Sequence, residues 1–179
     1  MTCVFAAGYS KGFVTTQATK PVFDSVQFDK CNPSFVKLFY SKPIKCASVS
    51  ANGSEYNITG PSAVNITAAV TDATCTTLGY TNWVLLQFAQ PVNVVGNYLV
   101  HNKTGTDGDG IIDTCNASQN TAETIAFNAL VKPSAAFTST IRFGCVSDTV
   151  VFSHPGGSGV NSWIWTFADG SSATGQTVT

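Results

Sequence analysis

The chain has 179 residues, enough for one large domain or one and a half small ones. Hydrophobic residues make up 44% and charged residues 11%, against about 25% charged in typical globular proteins. With a net charge of −1 and no apolar run near the roughly 20 residues that span a bilayer, neither nucleic-acid binding nor membrane insertion is expected.

The first residues, Met1-Thr-Cys3-Val-Phe-Ala-Ala-Gly8, do not read as a signal peptide, because no basic residue precedes a short apolar stretch. From there on no segment shows a convincing helical period. Short alternating runs recur between Gly, Pro, Asn and Asp clusters, which is the pattern of an all-β sandwich. The predicted strands are Phe23–Phe28, Phe35–Tyr40, Glu55–Thr59, Val64–Val70, Trp83–Phe88, Tyr98–His101 and Ile125–Leu130. Seven short strands in about 110 residues fit an immunoglobulin-like sandwich. Near the end, Trp163-Ile-Trp165-Thr-Phe167-Ala-Asp169-Gly170 places aromatics at period two before Asp-Gly, a buried strand running into a tight turn.

Two internal echoes organise the chain. Val36-Lys-Leu38-Phe-Tyr40-Ser-Lys-Pro43-Ile44 has the pattern of Val84-Leu-Leu86-Gln-Phe88-Ala-Gln-Pro91-Val92. Both read as central strands giving matching layers to one core, each ended by a proline that lacks the ladder donor. A looser echo relates Thr2-Cys3, Gly12–Thr15 and Cys31 to Thr114-Cys115, Ile125–Phe127 and Cys145. Residues 1–20 therefore read as the tail of a preceding module or an N-terminal strand, followed by a sandwich over 21–131 and an incomplete sandwich over 132–179.

The cysteines, at 3, 31, 46, 75, 115 and 145, show no C-x-x-C spacing, and only two histidines accompany them. Each lies near a predicted turn, as in a disulfide framework from an oxidising compartment. Cys31, Cys46, Cys75 and Cys115 fall in one predicted domain, and four cysteines allow three connectivities.

The candidate metal site is Thr106-Asp107-Gly108-Asp109-Gly110-Ile-Ile-Asp113. The carboxylates of Asp107, Asp109 and Asp113, set among turn-forming glycines, offer oxygen ligands of the kind calcium takes. Gly105 stands where the first acid of a complete loop belongs. Asn52, Asn57, Asn65, Asn102 and Asn116 each begin an Asn-x-Ser/Thr sequon. His101 lies on the outward phase of its strand and His154 beside Pro155 in a turn, with no serine or cysteine elbow near either, so no catalytic constellation is expected. Trp83, Trp163 and Trp165 suit a sugar-stacking platform or, at period-two positions, the core; the core is the preferred reading.

The stretch Phe35–Ile44, the run Ser48-Val-Ser-Ala-Asn52-Gly53-Ser-Glu-Tyr56-Asn-Ile58-Thr, then Pro91-Val92, Gly96-Asn97-Tyr98 and Gly105-Thr-Asp107-Gly108 resemble bacterial Ig-like modules. The likeness is to the cysteine-containing version in large surface proteins of Bacteroidota, and it covers about residues 21–131. Under it Asp107 and Gly108 are explained as a structural turn. Residues 134–179 resemble the first half of a PKD domain through Ala136-Phe137, Gly144-Cys145, Asp148–Phe152, Gly159 and Trp163–Gly170, with Ala168 where that family usually has Gly.

Such modules imply a non-catalytic spacer or stalk in a secreted or cell-surface protein, an adhesin being the expected parent. The expected partners are neighbouring modules, other copies of the chain, or surface glycans. Two alternatives stay open: a carbohydrate- or calcium-dependent binding module, and a filament subunit completed by strand exchange with Phe13–Gln17 as donor.

Overall fold

The computed structural model describes residues 19–157 and 159–179. The readings placed on residues 1–18, including the preceding-module tail and the Phe13–Gln17 donor, lie outside the described residues. The chain divides into two compact units between Leu130 and Val131. Among the described residues nearly all regular secondary structure is antiparallel β-strand, with almost no helix, so the fold is all-β.

The first unit has seven strands: β1 (Phe23–Gln27), β2 (Phe35–Lys45), β3 (Tyr56–Thr59), β4 (Ile66–Thr71), β5 (Tyr80–Phe88), β6 (Gly96–Asn102) and β7 (Thr124–Ala129). They form two sheets, ordered β1-β2-β5-β4 and β3-β6-β7. The two repeated strands are direct neighbours at the centre of the larger sheet, with Val36 opposite Leu86 and Leu38 opposite Val84. All four side chains are fully buried, and Tyr40 and Phe88 extend the layer. Tyr56, Ile58, Tyr98, Val100 and Phe127 close it from the smaller sheet. Full burial of each such side chain stabilises by roughly 1.5–3 kcal/mol.

One proline behaves as the echo predicts and the other does not. Pro91 lies beyond β5, whereas Pro43 lies inside β2, which runs on to Lys45. The β2–β5 register shifts between Phe39 and Ile44, and in that gap a residue without an N–H costs no ladder bond.

A short helix that the sequence did not announce, α1 (Thr74–Leu78), precedes β5. Asp72 Oδ1 accepts the Thr74 N–H at 3.0 Å, and Gly79 ends the helix in the left-handed conformation at φ 75°. Cys75 on this helix is bonded to Cys46 at the end of β2. The link anchors a segment too short to hold helical structure by itself.

In the second unit β8 (Thr138–Arg142), β9 (Thr149–Ser153) and β12 (Thr177–Val178) form one sheet, and β10 (Ile164–Thr166) pairs with β11 (Ser172–Thr174). The turn expected at Asp169-Gly170 is present. Asp169 Oδ1 accepts the Ser171 N–H at 2.9 Å, and Gly170 takes φ 82°. Trp165 points inward between Phe137 and Phe152, with ring centroids 5.5 and 5.9 Å away. Its indole N–H donates to the Gly175 carbonyl at 2.8 Å.

Candidate functional site

The loop after β6 carries the three predicted aspartates, and folding sends them to different places. Asp107 sits in a tight turn in which Gly105 N–H donates to the Asp109 carbonyl at 2.7 Å and Gly108 takes φ 86°. Its Oδ1 accepts the Asp109 N–H at 3.1 Å and its Oδ2 lies 2.9 Å from the Ser50 hydroxyl, which it shares with Glu55. Those two contacts, the backbone one first, hold its carboxyl below the usual carboxylate range. Asp109 joins this turn through its backbone.

Asp113 is fully buried. Its Oδ1 accepts the N–H groups of Cys115 and Ala117, each at 2.8 Å, and its Oδ2 lies 2.7 Å from Lys42 Nζ. Burial pushes this carboxyl up, but the Lys42 ammonium and the two N–H groups outweigh it and leave it below the usual range. The expected grouping of Asp113 with Asp107 and Asp109 is therefore corrected: Asp113 is committed to Lys42 and its own turn. Among the described residues no three His, Cys, Asp or Glu side chains gather as a metal site.

The structure adds a carboxylate that no motif flagged. Glu55 is fully buried beside Asp107. It accepts the Ser50 N–H at 3.1 Å, the Ser54 hydroxyl at 3.1 Å and the Ser50 hydroxyl in a short bond. Ser54 Oγ in turn accepts the Thr106 N–H at 3.1 Å, tying this loop to the aspartate turn. The Ser50 hydroxyl has a single proton for its two carboxylate neighbours, so it can donate to only one of them. Gly105 makes the approach possible, since a Cβ there would collide with Glu55 Oε1 and Asp107 Oδ1.

The predicted disulfide cysteines divide as well. Cys46 and Cys75 are joined, and Cys115 is disulfide-bonded. Cys31, expected in the framework, is instead a half-buried free thiol, and Cys145 is an exposed one. Cys31 lies in a parallel bridge to Leu130, a position fixed by backbone pairing.

The tryptophans do not form one platform. Trp83 lies on the outer face of its sheet opposite Phe39, with Lys37 Nζ 3.8 Å from its ring centroid, which corrects the core reading for this residue. Its indole N–H donates to Asp72 Oδ2 at 3.1 Å. Trp163 and Trp165 line a cleft of about 690 Å³ within the second unit, together with Phe137, Asn161 and His154. His154 is buried, and both ring nitrogens are engaged. Nδ1 accepts the Gly156 N–H at 2.9 Å, so Nε2 carries the proton given to the Ser134 carbonyl at 2.7 Å. A neutral imidazole held from both sides has no nitrogen left to transfer a proton to a ligand. His101 faces outward as expected, with Nε2 2.6 Å from Thr59 Oγ1. Of the sequons, Asn102 is buried with its amide donating to the Asn120 carbonyl at 3.2 Å, so it is not available to a glycan.

Compared with protein-family models, curated proteins and solved structures, the chain matches none.

Proposed function

We propose that this chain is a load-bearing spacer segment of a secreted or surface-exposed bacterial protein, built from an Ig-like sandwich and a PKD-like unit, with an adhesin as the parent class. The strand orders β1-β2-β5-β4 and β3-β6-β7 correspond to those of the constant-type immunoglobulin sandwich. Tyr98, near the start of β6, donates its hydroxyl to the Val94 carbonyl at 3.0 Å, as the corner tyrosine of such domains does. The Cys46–Cys75 disulfide is compatible with an oxidising, extracellular setting, and among the described residues no helix is long and apolar enough to cross a membrane.

One observation carries the mechanical reading. The segment that follows β1 is held parallel to the segment that leaves β7. Leu130 N–H donates to the Lys30 carbonyl at 2.7 Å, and Asn32 N–H donates to the Leu130 carbonyl at 2.8 Å. Tension leaving the sandwich through Leu130 and Val131 loads these bonds in shear, together, instead of unzipping them one at a time. The Cys46–Cys75 link then withholds 29 residues from extension.

Single-molecule pulling on the full chain tests this. A discrete unfolding peak is expected for the first unit, and Cys46→Ala/Cys75→Ala should lengthen its release by about 100 Å, at roughly 3.5 Å per freed residue. Extension without a discrete event would overturn the spacer reading. Glycan-array binding by the isolated chain would favour a binding module in its place.

A further inference from the structure

We propose that β8 is a self-pairing edge through which two copies of this chain join across a twofold axis at Thr140. This goes beyond the spacer reading and does not depend on it, because a monomeric stalk would lose only this proposal.

β8 ends the order β12-β9-β8, so one side of its backbone has no ladder partner among the described residues. All five of its residues are exposed. Sheet edges of this kind are normally blunted by bulges, prolines or inward charges. Both edge pairings of the four-stranded sheet carry such an irregularity, β1–β2 between Phe23 and Ser25 and β4–β5 between Ile66 and Ala68. The β8–β9 register runs from Thr138–Ser153 to Arg142–Thr149 without one, and β8 contains no proline.

The side chains identify the occupant. Ser139 and Ile141 share one face of β8, and Phe137 and Phe143 continue that alternation in the sequence on either side. Phe137, Ile141 and Phe143 are 56%, 54% and 84% exposed, and the Phe137 ring also packs on Phe152 and Trp165. An antiparallel copy centred on Thr140 places Phe137 opposite Phe143 of the second copy and Ser139 opposite its Ile141. On the other face Thr138 meets Arg142, and Thr140 meets Thr140. Arg142 is the single charged residue between Phe137 and Phe143. In this register it faces a threonine, about 14 Å along the ladder from its counterpart, so no like charges meet. An isologous contact of this kind closes on itself as a dimer.

The test is sedimentation of the full chain carrying Cys145→Ser, which removes the exposed thiol as a source of disulfide-linked dimers. A reversible, concentration-dependent dimer is expected. Thr138→Glu, facing Arg142, should tighten it and Thr138→Arg should weaken it, each roughly tenfold because the axis doubles every pair. Thr140→Lys, which sets two ammonium groups against each other, should also weaken it with an unchanged circular dichroism spectrum. A monomer at every concentration would overturn the proposal. So would equal effects of Thr138→Glu and Thr138→Arg, or a dimer indifferent to Thr140→Lys.

Discussion

The hydroxyls of Tyr40 and Tyr56 meet at 2.7 Å inside the first unit, joining β2 of one sheet to β3 of the other. Burial pushes both phenols above their ordinary value. The hydrogen bond offsets part of that for Tyr40 and adds to it for Tyr56, and the Glu55 charge raises both. Because each hydroxyl satisfies the other, removing one strands its partner in an apolar layer. Tyr40→Phe or Tyr56→Phe alone should cost about 1–2 kcal/mol in urea denaturation. The double variant should cost less than the sum of the two.

The same pair sets an alkaline limit. Above pH 10 the unfolded chain releases phenolic protons that the folded chain keeps, so the folded state binds more protons and stability falls as pH rises. Stability is expected to be insensitive to this pair below about pH 10 and to decline above it. Alkaline melting curves of Tyr40→Phe/Tyr56→Phe should show a shallower decline. An unchanged slope would separate these tyrosines from the alkaline transition.

Lys42 and Asp113 behave in the opposite sense. The folded chain holds Asp113 below the usual carboxylate range, so its contribution is present above the unfolded value near 3.9 and is lost as pH falls through the lower folded value. Lys42 keeps a quarter of its side-chain surface in water, while Asp113 is almost wholly enclosed. Lys42→Met should therefore cost about 3 kcal/mol, at the low end for a broken buried pair. Asp113→Asn should cost less and flatten the acid limb of the stability profile. Equal losses for the two variants would show that the ion pair is not the source.

How far these contacts can be read from sequence depends on how local they are. The inward layer of Val36, Leu38, Val84 and Leu86 was legible because period two is imposed on each strand separately. The same phase puts Trp83 outside, and only the prior that buries tryptophan hid this. Pro43 misled because a strand may pass through a proline where its register already slips, and register belongs to two strands. Glu55 and Asp113 were invisible as buried acids. What permits their burial are donors brought in by the fold: Ser50 and Ser54 with the Gly105 turn for one, Lys42 for the other. Nothing in the spacing of Asp107, Asp109 and Asp113 signals that a lysine on β2 will claim the third.

The Cys46–Cys75 link should stabilise the first unit by about 3.5 kcal/mol, the chain-entropy value for a loop of 29 residues. Cys46→Ala/Cys75→Ala should lose about that amount in urea denaturation. The loss should fall on local opening as well as global unfolding, because α1 is a five-residue helix held otherwise by a few bonds at its ends. Among them are Thr74 N–H to Asp72 Oδ1, Thr74 Oγ1 to the Tyr80 carbonyl and Cys46 N–H to the Gly79 carbonyl. Hydrogen exchange at Thr76 and Thr77 should accelerate before the β2–β5 ladder does. Simultaneous exchange of the two would mean that the helix is not a separate unit of stability.

Gly105 and Gly108 lie in one turn but are glycine for different reasons. At Gly108 the backbone takes φ 86° with open space where a Cβ would project, so alanine there meets only backbone strain, about 1 kcal/mol. At Gly105 the Cβ would strike Glu55, Asp107 and Ser54, none of which can retreat without breaking the bonds that hold the two loops together. Gly105→Ala should cost about 2–3 kcal/mol, and Gly108→Asn, a residue tolerant of the left-handed region, should cost little. Glu55→Gln in the Gly105→Ala background identifies the strained contact. If the collision with Glu55 dominates, the second change adds little further loss, because the carboxylate has already been displaced. Full additivity would move the clash to Asp107 and leave Glu55 in place.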